Sequence, residues 1–218
     1  MLASKAFNTA KIAMESGLNC CEIVSDGGST DGTREIAEQF PVTLISGELS
    51  RGKQLNSGAE KAQGDILLFL HADSRIEGDI LTDLRLAVDT GSMWGCFTLA
   101  FDAASPFYRI LATAAGLRSK IFSSCYGDQG IFCKRSLFFQ VGGFPKLPIM
   151  EDLCLSRELR RFSKAQVLPS QVITSSRRFQ AGGAFKVILK IQLIKMLFAL
   201  GVPAQRLAAL YRTNKESL

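Results

Sequence analysis

Apolar and polar positions follow two periods along this chain. Short apolar runs at residues 20–25 (CCEIVS), 42–46 (VTLIS), 65–73 (DILLFLHAD), 93–101 (MWGCFTLAF) and 129–135 (QGIFCKR) read as strands. The unbroken run at 65–73 fits a strand covered on both faces. Between these runs, residues 34–40, 50–64, 78–91, 106–122 and 153–162 carry helix-spaced apolar positions. Asp31 or Thr33 caps the first of these helices and Gly64 closes the second. Residues 165–175 read as extended, and the stretch from 184 onward reads as two helices broken near Gly201-Val202-Pro203. This β-α-β-α-β-α order predicts an α/β fold, a mostly parallel Rossmann-like sheet flanked by helices. With no repeat and no low-complexity linker, the 218 residues read as a single domain with a helical extension over 184–218.

The apolar run at 65–73 ends in His71, the only histidine, then Ala72 and Asp73. Asp26 ends the first run in the same way. In open α/β sheets the ligand crevice lies outside the carboxyl ends of the strands, so both carboxylates are candidates to point into it. Period two puts His71 and Asp73 on one side of their strand. A carboxylate there can hold a hard divalent cation, Mg²⁺ or Mn²⁺, and that cation can neutralise a diphosphate leaving group. Asp26 can instead accept hydrogen bonds from a ribose or a base. The competing reading of Asp73 is a turn-former or a helix N-cap.

Charge narrows the partners. The total is +6, but residues 157–218 hold twelve Lys and Arg against two Glu, a local +10 against −4 for the rest. Such a basic quarter suits phosphates or an anionic membrane surface. Nucleic acid is not expected, because no nucleic-acid motif and no aromatic–basic interleaving occur. The six cysteines form no C-x-x-C pair and read as small buried hydrophobes in a reducing cytosol. Neither a signal peptide nor a membrane span is legible, so the expected place is cytoplasmic, with peripheral attachment to the inner membrane face as the alternative.

DGGSTDGT, SRGKQLNSGA, FLHAD, YGDQGIF, VGGFP and MEDLCLSRELR follow one another from about residue 26 to residue 160. In this order they resemble glycosyltransferase family 2, the nucleotide-sugar transferases of the GT-A fold. The chain looks closest to small single-domain bacterial members that end in a GVPxxRLAxLYR pattern. That resemblance implies a nucleoside-diphosphate sugar donor, a UDP-sugar before others, with Mg²⁺ or Mn²⁺. It implies that Asp26 contacts the donor nucleoside and Asp73 binds the cation, with His71 at the first position of the metal motif. Arg51, at a helix N-terminus, would face the nucleotide. Asp152 matches the catalytic base of an inverting displacement, which takes a proton from the acceptor hydroxyl. Glu151 and Asp128 would serve the acceptor, GGF at 142–144 would shape its pocket, and Arg178 of the Arg177–Arg178 pair would approach the diphosphate. Phe179 stands where tryptophan is commoner in the family. A nucleotidyltransferase of similar architecture and a non-catalytic binding protein are the alternative functions.

Two features depart from the pattern. The family usually opens with an apolar strand and a Pro-x-x-Asn-Glu-like turn, whereas residues 1–19 correspond at best to a remnant of the helix that follows. Without that inner strand two strand edges are exposed, so the expectation is a rearranged sheet or a chain that associates. The second departure is the helix from 184 to 200, apolar nearly all round. Lys186 and Lys190 share one side and Lys195 lies opposite, so it does not read as a clean interfacial helix. Packing on the sheet or on a neighbouring subunit is expected. An anionic membrane with a lipid-linked acceptor is the other reading.

Overall fold

A computed structural model describes residues 21–71 and 74–212. The expected strands and helices form in order. β1 (Ile23–Asp26), α1 (Thr33–Ala37), β2 (Thr43–Ser46), α2 (Arg51–Lys61) and β3 (Ile66–Phe69) come first. They are followed by β4 (Arg75–Glu77), α3 (Ile80–Asp89), β5 (Trp94–Phe101), α4 (Pro106–Phe122) and a 3₁₀ turn (Gly127–Gln129). β6 (Ile131–Lys134), α5 (Arg135–Gln140), α6 (Glu151–Leu159), β7 (Gln166–Thr174), α7 (Arg177–Gly182), α8 (Ala184–Ala199) and α9 (Ala204–Arg212) complete the chain. The sequence pattern did not show β4, α5 or α7. Each is three to six residues long, too short to display a period.

The sheet is in two parts. β1 and β2 pair in parallel, and five further strands run in the order β3-β6-β5-β7-β4. Parallel pairing, expected for most of the sheet, holds for β1–β2 and β5–β7, while β3–β6, β6–β5 and β7–β4 are antiparallel. Strand direction depends on the path of the connections, which apolar runs do not encode. Among the described residues β1 has only β2 as a neighbour and β3 has only β6.

Period two divides the larger sheet between two cores. Leu67 and Phe69 of β3, Trp94 and Cys96 of β5, and Ile131 and Cys133 of β6 face α2, α5 and α6, packing with Ala59, Leu137 and Leu155. The alternate residues, Phe97 and Phe132, face α3 and pack with Ile80, Leu84 and Val172. Burial on both faces explains the unbroken apolar runs. Gly95 lets β5 approach β7 closely: a Cβ there would sit 1.9 Å from the Gln166 carbonyl oxygen. Cys96, Cys125 and Cys133 are buried free thiols as expected, but Cys21 is exposed.

Glu22 enters β1 with its Oε2 buried and without a hydrogen-bond partner, and burial pushes its carboxyl up from 4.5 to about 7. The folded state therefore favours the protonated form, and the stability this confers falls as pH rises from 4.5 toward 7. Glu22→Gln should raise the melting temperature at pH well above that window and change it little near its lower end. Equal gains at both pH values would remove the buried charge as the cause.

Candidate active site

Asp26 closes β1 and is buried. Its carboxylate accepts from the Ser29 hydroxyl at 2.5 Å and from the Ser29 and Gly28 backbone N–H groups at 3.1–3.2 Å. The Ser29 hydroxyl and these N–H groups hold it below its ordinary range against the effect of burial. Arg34 of α1 lies 3.8 Å away and also donates to Ser46, the register partner of Asp26 on β2. Asp26 thus shapes the Gly27–Ser29 turn from within.

α2 joins that turn to the other carboxylates. Gln54 lies so close to Gly27 that a Cβ there would be 2.3 Å from its Nε2. Two residues earlier, Gly52 packs α2 onto Phe144, Pro145 and Glu151, where a Cβ would meet the Pro145 carbonyl at 3.0 Å. Asn56 pairs with the Phe144 backbone in both directions: its Nδ2 donates to the carbonyl at 2.8 Å and its Oδ1 accepts the N–H at 2.9 Å. Gly142 and Gly143 precede that clamp with φ of 84° and 69°, a left-handed turn natural to glycine.

Arg51, first residue of α2, forms an ion pair with Glu151 at 3.3 Å. Its side chain is 53% exposed, while that of Glu151 is 3% exposed, so the guanidinium also faces solvent. Burial disfavours the charge on Arg51, but Glu151 and Asp152 outweigh it, and Tyr211 of α9 adds to them. Burial, and then the neighbouring Asp152, push the Glu151 carboxyl up, with Arg51 opposing. These acids open α6, where negative charge meets the positive end of the helix dipole. Met150 just before them has φ of 66°, a strained left-handed conformation for a side chain of its size.

Asp152 is partly buried. One oxygen accepts from the Leu153 N–H at 2.7 Å and the other from the Gly127 N–H at 2.9 Å. The His71 ring lies over Gly127: a Cβ on Gly127 would be 2.3 Å from its Nε2. Any side chain at 127 would displace it. Asp128 follows with Oδ1 buried and without a hydrogen-bond partner. Burial pushes its carboxyl up, Arg118 and Lys195 pull it down, and Asp152 pushes it up again.

The sequence-derived residues therefore fall into one connected group: His71 against Gly127, Gly127 bonded to Asp152, Asp152 beside Glu151, and Glu151 paired with Arg51. Asp26 joins through α2. Asp73 lies outside the described residues, as do residues 1–19 and the side chain of Arg178. Sequence reasoning missed Asn56, Arg118, Tyr126 and Lys195. Arg118 stacks 3.6 Å from the Tyr126 ring centroid, Lys195 lies 4.2 Å from it, and Arg118 bonds the buried Gln129. Tyr126 lies inside a quoted motif and could have been found, whereas Asn56, also inside one, reads as a solvated helix residue. Arg118 and Lys195 lie in helices with no local signal.

Asp26 at a strand end, Glu151 and Asp152 at a helix start and the helix-borne Arg51 make up this group. The profile described as glycosyl transferase family 2 matches residues 9–136, and the chain belongs to that family. Solved structures agree on the GT-A fold. Residues 1–349 of TarS from S. aureus superpose with a TM-score of 0.59 at 17% identity, over 80% of this chain and 57% of that one. A mannosyltransferase from Pyrobaculum calidifontis, solved with GDP-Man and Mn²⁺, gives a TM-score of 0.55 at 19% identity over 79% of this chain and 52% of that one. A mycobacterial protein gives 0.53 at 16% identity, over 80% and 62%. The chain thus spans just over half the length of its first two structural neighbours. No curated protein matches it in sequence.

Proposed function

We propose that this protein moves a sugar from a nucleoside-diphosphate donor to an acceptor hydroxyl, with inversion and with Asp152 as the base. The observation that carries the reading is the Asp152 carboxylate, anchored to Gly127 beside His71 and adjoining the Glu151–Arg51 pair. Its two backbone bonds fix its orientation and leave lone pairs on both oxygens to receive the acceptor proton. Arg51 has donors for a diphosphate, with Glu151 holding it in place. Asp26 braces the turn that would border the nucleoside. Asp128 and Glu151 would meet the acceptor, and a lipid-linked acceptor belongs to the same proposal.

Among the described residues no three His, Cys, Asp or Glu side chains group into a closed metal cage. A site with few protein ligands suits Mg²⁺ or Mn²⁺, which complete their shells with water and substrate phosphates. Asp73 would hold the cation, with His71 at its side, and the cation would neutralise the diphosphate as it leaves.

Thermal stability with UDP, GDP, CDP and dTDP, each with and without Mn²⁺, tests the donor site. One diphosphate at about 100 times its dissociation constant should add ~2.7 kcal/mol, only with metal and not in Asp73→Ala. No shift with any nucleotide would reject the donor site.

A further inference from the structure

The exposed face of α8 carries a surface the transfer reaction does not need. Val187 and Ile194 are buried on one side of α8, which packs against α7 and α9. On the other side Phe185, Leu189, Leu193, Met196 and Leu200 are exposed, the end members Phe185 and Leu200 by 77% and 74%. At 3.6 residues per turn these five side chains fall within an arc of about 80°, along roughly 22 Å of helix. Of the polar residues on α8, only Lys186 and Gln192 are exposed; Lys186 flanks this stripe and half-buried Lys190 lies beyond it.

Charge selects what covers the stripe. Residues 177–212 contain seven Lys and Arg and no Asp or Glu. A two-fold contact between copies through this face would oppose like charges with no acid on the segment to neutralise them. An anionic bilayer matches both features: its acyl boundary takes up the apolar stripe, and its headgroups attract the flanking cations. Among the described residues no helix is long and apolar enough to cross a membrane, so contact is along the surface. We propose that α8 docks this protein on an anionic lipid surface, with Phe185, Leu189, Leu193, Met196 and Leu200 at the headgroup–acyl boundary. Lys195 projects away from the stripe and reaches the Tyr126 ring beside Asp128. The helix that meets the lipid thus also touches the turn that would receive the acceptor, a link that rests on the transfer reading while the docking does not.

Flotation of the full chain with vesicles tests this. The protein should float with phosphatidylcholine containing about a third phosphatidylglycerol, and much less with phosphatidylcholine alone or at high salt. The double variant Leu189→Gln, Leu193→Gln changes only exposed positions. It should keep the melting temperature and lose vesicle affinity by about tenfold or more. Lys186→Gln with Lys190→Gln should lose about tenfold on anionic vesicles alone. Absence of flotation on anionic vesicles, or flotation unchanged in the Leu variant, overturns the proposal. So does a dimer in solution that the Leu variant dissociates. Nucleotide binding in solution needs no vesicle, so the transfer reading and the docking can fail separately.

Discussion

Asp152→Asn should lower the rate of sugar transfer by about 10²–10⁴-fold while donor binding stays within a factor of about two. Asparagine keeps the size of the side chain and an oxygen that can accept from Gly127 or Leu153, so the start of α6 and the Gly127 turn should hold. The group lost is the one that takes the acceptor proton. Release of nucleoside diphosphate under saturating donor and acceptor measures the rate, and thermal shift with the diphosphate measures binding. A variant as fast as the wild type would exclude Asp152 as the base. Equal loss of rate and of nucleotide binding would assign it to the donor site instead. Glu151→Gln should behave differently, because Glu151 is buried in its ion pair with Arg51. It should weaken the diphosphate site through Arg51 and lower stability as well.

Trp94→Ala should cost ~3–5 kcal/mol of stability, the largest effect expected of any single core truncation here. Trp94 is fully buried at the start of β5, opposite Cys133 of β6. Its indole N–H donates to the Ser163 carbonyl at 3.0 Å, which ties β5 to the loop after α6. Truncation therefore opens a large cavity and also leaves a carbonyl without its donor. For a domain of this size the melting temperature should fall by roughly 10 °C. Trp94→Phe keeps most of the volume and loses the hydrogen bond, so its cost should be well under half. If alanine and phenylalanine cost the same, the hydrogen bond rather than the cavity dominates.

Much of the site was legible because its residues sit at places that local pattern marks. Asp26 and His71 follow apolar runs where strands leave the core, and Asp152 opens a helix. Their order matches a family whose motifs occur in sequence. The covering of β3 on both faces also follows from the pattern, since it is apolar at every position; β5 and β6 are nearly so, broken by Thr98 and Lys134. The Asn56 clamp was not legible. An asparagine inside a helix reads as a solvated polar residue, and its partner is the backbone of Phe144, 88 positions away. Nor were β4 and α5, whose brevity leaves no period to detect.

By itself the sequence determined where strands and helices lie and which of its carboxylates stand at their ends, because those signals come from periods of 2 and 3.6 residues within one segment. Tertiary structure alone decided the directions of the strands in the larger sheet, the meeting of Arg51 with a glutamate 100 residues later, and the exposed side of α8. An α-helix that is apolar nearly all round has no preferred inner face. Only the packing of Val187 and Ile194 selects one, and that choice turns Phe185, Leu189, Leu193, Met196 and Leu200 outward as a continuous stripe.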